Sequence, residues 1–220
     1  MTQEPLQLLY IADPMCSWCY GFGPELEQVL NALPEAELDI MTGGLRAYEK
    51  EVLSAEKRST IMEHWRQVAL VSGLPFSDQA MAQTDFVYDT EPACRAVVTA
   101  KLVADHLSGR QLLQVFRAIQ HAFYAEGRDV TQDQVLSEIC VHSINQLDQG
   151  ADYDQPSFAE TLASPVAMAT VQEEFRQCQQ WGVRGFPALL MVHDEALHML
   201  TSGYTQAEQI LQTIAQVRQS

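Results

Sequence analysis

Positive charge is what this chain has least of: 13 Lys and Arg stand against 29 Asp and Glu, a formal net charge of −16. That balance opposes contact with nucleic acid phosphates or anionic membrane surfaces, so neither is an expected partner. The acidic residues fall in ones and twos, as on solvated helix faces, and select no partner by themselves. No apolar run approaches the length of a bilayer span, and Met1-Thr2-Gln3-Glu4-Pro5 has no basic start followed by an apolar core. A cytoplasmic location is therefore expected. Thiols are kept reduced there, so the five cysteines do not suggest a disulfide framework. Cys94, Cys140 and Cys178 are singly placed, so no second close Cys/His pair completes a zinc site, and no metal is expected. Those three fall in helical periods and read as buried, structural thiols. Gly43-Gly44 lacks a phosphate-loop pattern around it and reads as a turn.

What the chain does have is a dithiol in a definite setting. Residues 6–12 form a short apolar run typical of a buried strand, and Asp13-Pro14 breaks it. Cys16-Ser17-Trp18-Cys19 follows, in what reads as the first turn of a helix continuing to Leu30. The first N–H groups of a helix have no intrahelical partner, and the helix dipole places partial positive charge there, which favours a thiolate. Cys16 is thus the expected nucleophile. Cys19, three residues on, shares its helix face and is the expected resolving thiol.

Residues 37–42 alternate as a second strand should, and residues 45–181 then read as helical throughout. Helices are expected over 57–71, from Glu91-Pro92 to Ser108-Gly109, and over 110–124. Thr131 and Gln134 suggest a capping box for a fourth, and Ser164-Pro165 caps a longer one running to Cys178. His64 and Trp65 are read as a solvated edge and a core residue. Runs at 188–193 and 197–201 suggest a hairpin across Asp194-Glu195-Ala196, although no Asn-Gly is present. Thr205 and Glu208 suggest a capping box for a final helix over 207–217.

The order strand, dithiol helix, strand, helical block, hairpin, helix resembles a thioredoxin fold with a large all-helical insertion, as in the DsbA family. The expected class is α/β. Residues 1–44 and 182–220 would form the thioredoxin-like domain, and residues 45–181 the inserted helical domain. Asp13-Pro14-Met15-Cys16-Ser17-Trp18-Cys19-Tyr20-Gly21-Phe22-Gly23-Pro24 and Gly182-Val183-Arg184-Gly185-Phe186-Pro187-Ala188 most resemble the cytosolic, FrnE-related disulfide isomerases of that family. By that resemblance Pro187 is cis and packs beside the dithiol, Phe186 offers its backbone to substrate, and Gly185 lets the chain bend into place. Trp18, partly exposed, would add an apolar contact.

The resemblance implies a thiol–disulfide oxidoreductase or isomerase that works through a mixed disulfide with a protein or small-molecule substrate carrying a disulfide or thiol. No bound cofactor is implied; glutathione or a protein dithiol would reset the redox state. Two features depart from the family pattern. Tyr10 stands where thioredoxin and DsbA carry a buried carboxylate, leaving Asp13 as the nearest one, and uncharged Trp18 replaces the DsbA histidine, implying a less oxidising disulfide. A kappa-class glutathione transferase or hydroxychromene carboxylate isomerase resembles the same architecture, but those proteins generally carry serine first where Cys16 stands. A non-enzymatic peptide-binding chaperone is the third reading.

Overall fold

The computed structural model describes residues 6–148, 150 and 152–219, so the expectation about the first five residues lies outside it. A four-stranded sheet is the frame. Strands β1 (Gln7–Ala12) and β2 (Glu37–Thr42) pair in parallel, and β3 (Ala188–His193) and β4 (Ala196–Ser202) add antiparallel, in the order β2-β1-β3-β4. Parallel β1 and β2 require a crossover, which α1 (Ser17–Gly21) and α2 (Gly23–Ala32) supply. The hairpin forms without glycine because Asp194 and Glu195 both adopt positive φ, at 48° and 59°, the pair of left-handed residues whose twist suits flanking strands. One difference from the sequence reading lies directly after the dithiol. Pro24 has no N–H to donate four residues back and its ring crowds that carbonyl, so α1 stops at Gly21 and α2 starts afresh.

Between β2 and β3 come α3 (Ala55–Ser72), α4 (Gln79–Ala82), α5 (Glu91–Val103), α6 (Gly109–Tyr124), α7 (Asp133–Leu147), α8 (Gln155–Leu162) and α9 (Pro165–Gln180), with α10 (Ala207–Val217) last. Among the described residues the only pairing in this stretch is an isolated bridge from Val52 to Val87. Trp65 is buried and His64 exposed, as expected. Three capping expectations change. Helix α5 ends at Val103, short of Ser108, because Ser108 takes an extended conformation to open α6, forming a capping box with Gln111. Thr131 bonds back to Asp129 instead of capping, so α7 begins at Asp133. Thr205 is held by Thr201, and the N-terminus of α10 is bonded from elsewhere: Ala207 N–H donates to the Glu25 carboxylate at 2.7 Å.

Two contacts fix the helices to the sheet. At the start of α6 a Cβ on Gly109 would lie 1.5 Å from the Leu38 carbonyl oxygen, so only glycine allows that helix to approach β2. Along the outer edge of β2, Glu174 of α9 accepts from the Thr42 amide at 2.7 Å and its hydroxyl at 2.6 Å. It also pairs with Lys101 of α5 at 2.6 Å. An edge strand is thereby closed by side chains rather than by another strand.

A candidate dithiol site

The loop leaving β1 is shaped by one carboxylate. Asp13 is wholly buried; its Oδ1 accepts from Met15 N–H at 2.8 Å and its Oδ2 from Leu45 N–H at 2.6 Å. The Cys16 amide donates to the Asp13 carbonyl at 3.0 Å, closing a turn that delivers Cys16 to the N-cap of α1. Burial raises the Asp13 carboxyl above the usual aspartate range, against the pull of hydrogen bonds from Thr90, Met15, Leu45 and Cys94. This one side chain therefore joins the dithiol loop, the chain leaving β2 and helix α5.

Cys16 is 5% exposed and Cys19 is fully buried, and both thiols are free. The Cys16 thiol donates to the Phe186 carbonyl at 3.7 Å, so the expected nucleophile and the expected substrate-binding residue meet across 170 positions of sequence. Burial, followed by the hydrogen bond and charge of Cys16, pushes Cys19 well above the ordinary thiol range. The Phe186–Pro187 bond is cis, as the resemblance implied. Phe186 is half-buried, and its ring lies so close to Gly43 that a Cβ there would fall 2.1 Å from it. The glycine pair after β2 thus has a role that its turn chemistry alone did not reveal. Gly185, by contrast, has no positive φ and open space around it, so nothing at that position requires glycine.

Trp18 is half-buried, with its ring 5.7 Å from that of Tyr204. The Tyr204 hydroxyl donates to Glu25 at 3.0 Å, the same carboxylate that caps α10. Tyr10, in the position where a carboxylate would stand in the resembling family, is buried between Phe22 and Phe116 and donates to the Cys19 carbonyl at 3.3 Å. Burial raises its phenol well above the normal range, so it holds the helix rather than accepting a proton. Tyr88, which the sequence did not single out, donates to the Met15 carbonyl at 2.6 Å and so pins the dithiol loop from the helical block.

The other cysteines are buried. Cys94 touches Asp13, and burial raises its thiol strongly; burial alone does so for Cys140. Cys178 donates to the Thr42 carbonyl at 3.6 Å and is pushed up to about 12, chiefly by burial. None shares the helix N-terminus that Cys16 occupies. Among the described residues no cluster of three or more His, Cys, Asp or Glu side chains could hold a metal, and no helix is long and apolar enough to cross a membrane.

The profile of the family described as DSBA-like thioredoxin domain matches residues 8–215. A crystal structure of a candidate protein disulfide isomerase from Nitrosomonas europaea superimposes with a TM-score of 0.84 at 34% identity, covering 98% of both chains. The cytosolic disulfide reductase DsbM from Pseudomonas aeruginosa gives 0.74 at 24% identity, over 98% of this chain and 100% of that one, which is likeness of fold. Among curated proteins, the ClpXP adapter protein SpxH of Bacillus licheniformis is 22% identical over 198 residues, 85% of this chain but 58% of that protein's length.

Proposed function

Starting from the fact that this chain belongs to the DSBA-like thioredoxin-domain family, we propose that it is a thiol–disulfide oxidoreductase acting through Cys16 and Cys19. One observation carries the reading: a thiol at a helix N-cap that touches the Phe186 carbonyl, with a second, more buried thiol one turn below. The Cys16 thiolate attacks one sulfur of a substrate disulfide, forming a mixed disulfide and releasing the other sulfur as a thiolate, which takes up a proton. Cys19, kept protonated by burial until then, loses its proton and attacks Cys16. The Cys16–Cys19 disulfide forms and the second substrate sulfur leaves as a thiol. Two glutathione molecules, or one protein dithiol, restore the starting state and are themselves oxidised. The reverse sequence oxidises a dithiol, and attack on a substrate's wrong disulfide followed by release gives isomerisation.

Phe186 contributes in a way its geometry suggests. While Cys16 is a thiol, the Phe186 carbonyl accepts its S–H; once the proton is lost, that carbonyl is free to accept from an extended substrate backbone. Pro187 and the Trp18 ring then complete an apolar margin for the substrate chain. In this reading residues 1–44 and 182–220 carry the chemistry, the helices of 45–181 hold the dithiol loop through Tyr88 and Thr90, and the protein works in the cytoplasm.

The test equilibrates purified protein in glutathione buffers, traps thiols by alkylation and locates them by mass. The expected result is a reversible Cys16–Cys19 disulfide with Cys94, Cys140 and Cys178 unmodified, and a long-lived mixed disulfide on Cys16 in Cys19→Ser. If no such disulfide forms, or if Cys16 only carries glutathione, dithiol exchange is wrong and the glutathione-transferase reading takes its place. Likeness to an adapter protein favours one further reading, a peptide-binding module. Under it, Cys16→Ala retains full activity in cells.

A further inference from the structure

Strand β1 carries one polar side chain into the packed layer between sheet and helices. Tyr10 is 1% exposed, and its ring lies 5.9 Å from each of Phe22 and Phe116. Its backbone is paired on both sides, with Ile40 of β2 and Leu189 of β3, so the phenol stands on a rigid element. A phenylalanine would fill the same space with no hydroxyl to satisfy. The bond that the hydroxyl makes to the Cys19 carbonyl is 3.3 Å long, beyond the span of about 2.5–3.0 Å usual between oxygens. The Cys19 sulfur also lies within its hydrogen-bonding range. One rigid donor therefore faces two acceptors on the resolving cysteine, and the nearer oxygen holds it loosely.

Negative charge must develop on that sulfur. Burial is the main cause that keeps Cys19 protonated, followed by the hydrogen bond and charge of Cys16; the Asp13 carboxyl adds to this, and a backbone hydrogen bond from Asp13 works against it. In the mixed disulfide Cys16 carries neither proton nor charge, and burial becomes the obstacle that remains. A fixed O–H dipole lowers such an obstacle without rearrangement of the protein. Burial, with the charges of Cys19 and Cys16 behind it and Arg117 opposing, holds the Tyr10 phenol well above its ordinary range, so it stays a donor. Its hydrogen moves between the two acceptors by rotation about the C–O bond alone.

We propose that Tyr10 is a catalytic residue of the resolving step: its O–H turns from the Cys19 carbonyl to the Cys19 sulfur and stabilises the thiolate that attacks Cys16. The inference rests on the dithiol reading. In the step a bond forms between the Cys19 and Cys16 sulfurs and the bond from Cys16 to the substrate sulfur breaks. The electron pair leaves with the substrate sulfur, and the proton given up by Cys19 ends there. The phenol keeps its hydrogen throughout.

The test mixes reduced protein with one equivalent of 2,2′-dithiodipyridine, an uncharged disulfide, and follows thiopyridone release by stopped-flow absorbance. Attack by Cys16 releases the first thiopyridone and attack by Cys19 the second, so the two steps are read as two phases. Tyr10→Phe removes only the oxygen and leaves the ring between Phe22 and Phe116. In this variant the first phase should match that of the parent protein. The second should be about threefold slower at pH 7, because less thiolate is present, an effect partly offset by the greater nucleophilicity of a more basic sulfur. That deficit should close as the pH is raised to 10 and Cys19 ionises without help. An unchanged second phase overturns the proposal. So does a deficit that is the same at every pH, or one shared by both phases, since either is what loss of a structural anchor for the Cys19 carbonyl would give. A parent protein with no second phase at all sinks the dithiol reading itself.

Discussion

At Asp13 two jobs compete within a single side chain. Its oxygens bind two backbone amides, one 2 and the other 32 residues along the chain, yet burial disfavours the charge that makes those bonds strong. Because its folded-state pKa is raised, its contribution to stability is fully present below the pKa of an unfolded aspartate and is lost as pH rises through the folded value. Asp13→Asn removes that titration, so the variant's stability should vary less with pH across this window. The amide keeps only one acceptor oxygen, leaving either Met15 or Leu45 without its partner, at a cost of about 1–3 kcal/mol. Urea unfolding of both proteins from pH 4 to 8 measures the two effects together. A variant as pH-dependent as the parent would assign the slope to other groups. The sequence marked Asp13 as the carboxylate nearest the dithiol, but its second ligand, the Leu45 amide, lies beyond two helices and a strand and leaves no local pattern. The same holds for Gly43, whose need for a bare Cα comes from the Phe186 ring and not from its own turn.

Elements were legible where their signal was local and obscured where a cap came from a distance. The dithiol helix, both pairs of strands and the run of helices between them follow from apolar period and from Pro and Gly punctuation. The cap of α10 did not, although its bounds did, since Glu25 supplies that cap from α2 across 182 positions. Ser108 and Gln111 did carry a readable Ser-x-x-Gln signature; the apolar face of α5 was simply extended too far over it. Gly109, next to that cap, also fixes how the helical block meets the sheet. Its missing Cβ leaves room for backbone atoms of Leu38, which cannot rotate aside as a side chain would. Gly109→Ala should therefore cost about 3 kcal/mol despite the better helix propensity of alanine, lowering the thermal midpoint by roughly 6–12 °C. Calorimetry on the variant measures this, and an unchanged midpoint would mean that α6 can shift along β2 without loss.

For the whole molecule the dominant quantity is its net charge of −16, which acts on every encounter before any specific contact forms. Most of that charge lies on solvated side chains, so its reach is set by ionic strength, with a Debye length of about 10 Å at 0.1 M salt. The steps proposed for Cys16 use no charged substrate group, so the field should alter how often substrates arrive and leave the exchange itself unchanged. Two disulfide peptides of the same length, one rich in lysine and one rich in glutamate, separate these terms. Reduction of the lysine-rich peptide should slow as sodium chloride is raised from 20 to 500 mM, values chosen to take the screening length from tens of Å to a few Å. Reduction of the glutamate-rich peptide should accelerate, and the two rates should converge at high salt. Opposite slopes that meet assign the difference to long-range steering. Rates that remain apart at high salt would instead place charge recognition in contact with the peptide, most simply at Arg46, which lies 5.3 Å from the Tyr88 ring centroid, or at Arg184 in the loop before Phe186.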